Sequence, residues 1–244
     1  MEMVQRYMDT LGDRDCLQWR IGDRTMLQVL IDTGEEMQQH WRRQSDGLLD
    51  IGAGTGKMLE IQEDDYQHAI GAINAMAVNY YTQLGAWCAD QNNATCAARF
   101  KSLSDELKKQ LNDKLWDDEA GWYGNGYPNE TRPRTVLSYH TLEALKSFGP
   151  ERFAPAVPAD RRARMLERFA PGDLLAPYGL YSIAKSDVKH WSREDCDWGG
   201  GGQYVGQTGR LAELLFTLQR PEIGWQVVKR MARWVERFPY FPQT

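Results

Sequence analysis

The sequence predicts an all-α fold in which antiparallel helical hairpins form part of an (α/α) toroid. Three observations lead there. Seven segments carry apolar residues at the three-four spacing of a helix. Helices apolar nearly all round alternate along the chain with helices bearing a single apolar stripe. Long connections alternate with short ones, and in an up-and-down array every second connection lies at the same end.

The segments are 24–43, 66–91, 93–116, 135–147, 159–169, 204–218 and 222–238. The second spaces Tyr66, Ile70, Ile73, Ala77, Tyr80, Leu84 and Trp87 along one face. Its other faces are largely uncharged, so it reads as an inner helix. The third sets the stripe Phe100, Leu103, Leu107, Leu111 and Leu115 against Lys101, Asp105, Lys108 and Lys109, and so reads as an outer helix. Only Asn92 and its neighbours join the two. Segment 135–147 is apolar around much of its surface, whereas 159–169 is Arg-rich outside Met165, Leu166 and Phe169. Segment 204–218 carries Val205, Leu211, Leu214, Leu215 and Phe216. The last sets Trp225, Val228, Met231 and Val235 against Lys229, Arg230, Arg233 and Arg237. Pro221 stands between these two, where a first helical residue belongs. The long connections 44–65, 117–134 and 170–203 are rich in Gly, Asp and Trp and should meet at one end, with inner-helix N-termini facing a cleft.

No linker, low-complexity run or charge block divides the 244 residues, which read as one domain, 1–244. A hydrophobic fraction of 42% supports a substantial core, and a net charge of −5 argues against a nucleic-acid partner. There is no apolar run of membrane-spanning length, and no signal-peptide pattern at Met1. No membrane partner is expected, and the compartment is left open, a periplasmic or secreted parent enzyme included. Cys16, Cys88, Cys96 and Cys196 form no CxxC pair and no metal-like cluster. Cys88 and Cys96 flank a helix turn, but free thiols are the expectation. Neither metal nor cofactor is expected.

Leu48-Leu49-Asp50-Ile51-Gly52-Ala53-Gly54-Thr55-Gly56 looks like the first motif of S-adenosylmethionine-dependent methyltransferases, where an apolar strand enters a glycine-rich turn. That fold needs further strands alternating with helices. Here the next segment is a long one of helical period. The alternative reading is a loop that turns sharply over the cleft.

With its flanks, the same stretch resembles a different family. The string Asp46-Gly-Leu-Leu-Asp-Ile-Gly, then Met58-Leu59-Glu60, Tyr66-Gln67-His68 and Asn74-Ala75, is similar to six-hairpin glycosidases, bacterial α/α-toroid enzymes acting on complex glycans. Three later stretches share the likeness: Leu115–Tyr123, Tyr178-Gly179-Leu180-Tyr181-Ser182 and Asp195-Cys196-Asp197-Trp198-Gly199-Gly200. Ile51-Gly52-Ala53-Gly54 departs from the pattern. Six hairpins need about twelve helices, and seven are legible. The resemblance therefore implies part of a larger toroid, whose partners would be the missing hairpins of a parent chain or further copies of itself.

Glycoside hydrolysis uses two carboxyls across the scissile bond, one donating a proton and one acting as base or nucleophile. Glu60, between Leu59 and Ile61, is placed for partial desolvation, which suits a proton donor. Asp197 stands beside Trp198 and a run of glycines whose exposed amides favour an ionised carboxylate. These two are the expected catalytic pair. Expected substrate-binding residues are Asp65, Tyr66, His68 and Asn74 around the first inner helix, Trp122 in the middle loop, and Asp195, Trp198 and Gln203 in the last. An Asn within an apolar helix must find hydrogen bonds, from sugar hydroxyls or from a neighbouring element. Asp65 as a helix cap and Asp195 as a solvated acid are the plainer alternatives. Asn125, Tyr127 and Arg132 read as loop-packing residues first and substrate contacts second. The function expected of the complete protein is hydrolysis of a complex oligo- or polysaccharide. The alternatives are a polysaccharide lyase, a non-catalytic sugar-binding remnant, or the methyltransferase.

Overall fold

A computed structural model describes residues 1–54, 61, 63–145, 156–192, 202–204 and 208–237. The chain is largely helical, with helices paired antiparallel. Helix α1 is Glu2–Leu11, α2 Met26–Trp41, α3 Gly71–Asp90, α4 Ala94–Lys114, α5 Ala159–Glu167, α6 Thr208–Thr217 and α7 Pro221–Arg237. Among the described residues, the strands are two or three residues long and form no closed sheet.

The centre of the fold is the α3–α4 hairpin. Helix α3 buries residues on every side, including Ala75, Val78, Tyr81, Leu84 and Trp87. Helix α4 buries the single stripe Phe100, Leu103, Leu107 and Leu111, with the ion pairs Lys101–Asp105 and Lys109–Asp113 facing solvent. The helices pack closely at Gly85, where an added Cβ would lie 3.4 Å from the backbone of both Ala97 and Lys101. The turn between them closes because Asn92 takes a left-handed conformation (φ 58°) and the Asn93 side chain accepts the Cys96 amide at 3.0 Å. Cys88 and Cys96 are joined by a disulfide across this turn, with Cα atoms 5.7 Å apart. The expectation of free thiols is wrong for this pair: the cap that starts α4 also sets the two side chains face to face. Cys16 is free and buried.

Four elements depart from the sequence reading. Helix α1 is absent from the sequence reading: it packs Val4, Tyr7 and Met8 against the core, and among them the buried Gln5 bonds both Gln83 and the Trp87 indole. The helix expected from residue 66 begins at Gly71. Residues ahead of it are held extended, with Ala69–Ile70 paired antiparallel to Asn125–Gly126 and the His68 amide bonded to the Gly52 carbonyl at 3.1 Å. Tyr66 and His68 therefore lie in the loop, His68 with φ 61°. The helix expected at 135–147 is, over its described part, an extended stretch followed by a 3-10 turn at Tyr139–Leu145. A bridge from Ser138 to Ile183 and the Ala184 amide on the Leu137 carbonyl (2.9 Å) hold that stretch extended. In α7, the buried face is Ile223, Val227 and Trp234, while Trp225 and Val235 are 56% and 53% exposed.

Among the described residues, the glycine-rich segment makes no strand–turn–helix unit. Gly52 and Gly54, at φ 83° and 99°, turn in a loop whose amides bond Asp50 Oδ1 (2.8 Å) and Gln67 Oε1 (3.1 Å). Some of the intervening residues, Gly56 among them, lie outside the described set. Among the described residues, the next helix starts at Gly71.

Asn74 clamps this loop to the core. Fully buried on α3, it accepts the Leu49 amide at 2.9 Å and donates to the carbonyls of Leu49 (3.0 Å) and Ile70 (2.9 Å). Replacing it leaves two backbone groups of Leu49 buried and unpaired. Asn74→Ala should lower the unfolding free energy by about 2 kcal/mol or more in urea titrations. A change within about 0.5 kcal/mol, the usual range of a neutral surface substitution, would show that the clamp is dispensable.

Candidate functional site

The three long connections do meet, and Asp65 marks the meeting point. It lies in the first connection and is 9% exposed. Its carboxylate receives Arg134 from the middle connection at 3.2 Å, and from the last connection both Lys189 and His190 Nε2, the latter at 3.1 Å. Behind His190 stands Asp187, which accepts His190 Nδ1 at 2.8 Å and the Leu137 amide at 2.9 Å. Asp187 thus ties the last connection back to the middle one.

Both ring nitrogens of His190 face carboxylates. A neutral imidazole has one donor and one acceptor, so only the imidazolium satisfies both contacts. Burial pulls the His190 pKa down, but Asp187 and then Asp65 outweigh it, and the net shift is upward. Burial pushes Asp65 up, and its bonds from Lys189, His190 and Arg134 overcome this and hold it below the usual carboxylate value. Asp187 follows the same logic, with burial overcome by His190 and the Leu137 amide. Both acids are ionised at neutral pH with their oxygens engaged. They fix the loops and are poorly suited to donate a proton.

A small apolar cluster seals this floor. Ile61 from the first connection packs with Val136 from the middle and Ile183 from the last, together with Tyr66, Ile70 and Ala72. A second polar layer lies alongside. His68 Nδ1 is 3.2 Å from Asp50 Oδ1, and its ring meets Tyr127 edge-on at 5.0 Å. Arg134 lies over the Tyr127 ring, 3.9 Å from the centroid, and the Tyr127 hydroxyl donates to the Asp64 carbonyl. Asn125 is buried and bonds the Asp65 carbonyl (2.8 Å) and the Gly71 amide (3.3 Å), so it and Tyr127 pack loops.

The structure brings some of the expected site residues together and sets others apart. Asp65 and His68 stand at the loop end. Tyr66 is 3% exposed within the apolar cluster. Asn74 spends its amide on backbone, and Trp122 has no exposed surface, so neither offers a face to a ligand. The Gln203 side chain accepts the Tyr178 amide at 3.0 Å. Glu60, Asp195, Asp197 and Trp198 lie outside the described residues. Sequence reasoning passes over Asp187, His190, Lys189 and Arg134. The Asp-x-x-His spacing of Asp187 and His190 is the available signal, since three residues in a turn bring such side chains face to face. Among the described residues, no group of His, Cys, Asp or Glu has the makings of a metal site. No helix there is long and apolar enough to cross a membrane.

The pKa directions set a pH window. His190, raised, contributes stability in full below the ordinary imidazole value of about 6.5 and loses it as pH rises through the raised value. Asp65 and Asp187, lowered, contribute above about pH 3.9 and lose it as pH falls through their depressed values. The melting-temperature advantage of the native chain over His190→Gln should therefore be greatest at about pH 5–6 and shrink above neutrality. A gap that stays flat into alkaline buffer would rule out an imidazolium at His190.

Comparisons with known proteins agree with a glycosidase-type helical fold. No curated protein matches the sequence. Among solved structures, a sialidase superposes with a TM-score of 0.57 at 16% identity, over 90% of this chain and 18% of that one. Neutral trehalase Nth1 from Saccharomyces cerevisiae superposes with a TM-score of 0.56 at 14% identity, over 71% of this chain and 33% of that one. The chain thus spans a third or less of either structure, and at these identities the likeness is one of fold. The trehalase family model matches residues 39–191, well over half of the chain and the whole Asp65–His190–Asp187 cluster. On that match, the chain belongs to the trehalase family.

Proposed function

We propose that the complete protein is a glycoside hydrolase, with Glu60 as general acid and Asp197 as base or nucleophile. The observation that carries this is the convergence of three connections at Asp65 and His190. Glu60 is the chain neighbour of Ile61, which packs against residues of both other connections. Asp197 follows Trp191, a partner of the same apolar cluster, by only six residues. A fully extended chain of that length spans about 20 Å at most, which keeps both acids within reach of the loop end. Asp65 and Asp187, already ionised and paired, hold the floor on which those acids would act.

Acid catalysis there would protonate the glycosidic oxygen as its bond to the anomeric carbon breaks. The second carboxylate would take the proton of an attacking water or attack the carbon itself. A general acid at Glu60 would need an apolar surrounding to raise its pKa, and the burial of its chain neighbour Ile61 in the apolar cluster supports that reading. His68 and Gln203, with Asp195 and Trp198, are the proposed sugar contacts. The family name makes trehalose the first substrate to test, ahead of longer oligosaccharides.

Glu60→Gln and Asp197→Asn should each lower turnover of the native glycan about 10²–10⁴-fold in the complete enzyme, with a much smaller change in substrate affinity. Turnover of trehalose and of an oligosaccharide panel is the measurement. Near-normal rates in both variants would overturn the assignment. Sugar binding without turnover in the unaltered protein would make it a binding remnant instead.

A further inference from the structure

A cleft of about 420 Å³ opens beside the site, between the start of the first connection, the end of α4 and residues 126–133. Its volume suits a small-molecule ligand. Its reachable apolar surface comes from Pro128 and Pro133, with the buried Leu48 and Leu115 beneath. Ser45, Asn129 and Thr131 add hydroxyl and amide groups at its margin.

The charges are unevenly spent. Of the lining acids, Asp46 is held by Arg43 through two bonds, of 3.0 and 2.6 Å, and Glu130 is held by two nitrogens of Arg134. Asp46 also lies below the usual carboxylate value: burial raises it, and Arg43, the Leu48 amide and the nearby Lys114 overcome that. Two lining cations remain. Among the described residues, neither Lys114 nor Arg132 has a carboxylate within ion-pair distance. Lys114 feels Asp46 at longer range only. The acids are neutralised by neighbours while two cations face the same opening, so the cleft carries a net positive field over an apolar floor.

We infer that this cleft binds an anionic sugar, a pyranose bearing one carboxylate or one phosphate. Lys114 and Arg132 would meet the anion. Pro128 and Pro133 would meet the C–H face of the ring, and Ser45, Asn129 and Thr131 its hydroxyls. The inference takes only the carbohydrate class of the ligand from the glycosidase reading. Because it is measured by binding and not by turnover, inactive Glu60→Gln or Asp197→Asn protein must bind as the unaltered chain does.

Isothermal titration of the 244-residue chain with glucuronate and with glucose 6-phosphate tests it, with glucose and inorganic phosphate as probes of each half of the ligand. One or both charged sugars should bind at a single site, at least about tenfold more tightly than glucose or phosphate alone, as charge-assisted hydrogen bonds to a sugar anion require. Binding of glucuronate alone identifies a carboxylate site, and of glucose 6-phosphate alone a phosphate site. The double variant Lys114→Gln/Arg132→Gln should lose at least about tenfold in affinity. Lys109→Gln, which alters a solvent-facing lysine of the same helix, should lose none. The inference fails if the charged sugars bind no better than glucose, if phosphate alone binds as well, or if the double variant binds unchanged.

Discussion

The site end of this molecule depends on one buried charge. His190 is an imidazolium held between Asp65 and Asp187, at 3.1 and 2.8 Å. Each carboxylate belongs to a different stretch of chain, and each is also bonded to the middle of the molecule, Asp65 through Arg134 and Asp187 through the Leu137 amide. Remove the positive charge and two ionised carboxylates face a common apolar floor without their shared partner. A buried pair broken on one side is far costlier than the same pair never formed. The three connections are therefore coupled, through this polar frame and through the apolar contacts of Ile61, Val136 and Ile183 beside it.

That frame also explains where helices stop. Segment 66–70 has a helical pattern, yet it forms a turn and a short strand because its backbone groups are taken by Glu63, Gly52, Ile51 and the Asn125–Gly126 strand. Residues 135–138 are extended for the same reason, their backbone bonded across to Ile183 and Ala184. In both places a few long-range backbone bonds outweigh the weak intrinsic preference for helix. Both helix starts retreat from the cleft by about one turn, which gives the loops room to pack over them.

The helical scaffold is legible in the sequence because it is built by repetition. The stripe of α4 and the all-round burial of α3 come from apolar spacing alone, and the gathering of the long connections at one end comes from their alternation. The polar frame is not legible. Asp65, Arg134, Asp187 and His190 are scattered over more than a hundred residues, and nothing local shows that they meet. Asn74 can be recognised as a residue in need of partners, but not that its partners are the Leu49 backbone. Helix α1 packs Val4, Tyr7 and Met8 on the core, but the role of Gln5 among them rests on its long-range bonds to Gln83 and Trp87, which no local pattern shows. The face of α7 is misjudged because both sides carry large apolar residues, and tertiary contacts with α6 and with the stretch around Tyr178, whose ring meets Trp234, choose between them.

The disulfide between Cys88 and Cys96 lies at the far end of the central hairpin. The run of helix α3 from Gly71 to Cys88 separates it from the loops by about 25 Å at the usual rise per residue. A cross-link over so short a turn acts chiefly on the unfolded chain, by limiting how far the two helices can part. Its oxidation state would thus tune how long the protein survives, while the geometry around Asp65 stays the same. Durability and chemistry are set at opposite poles of one helix, free to be adjusted separately.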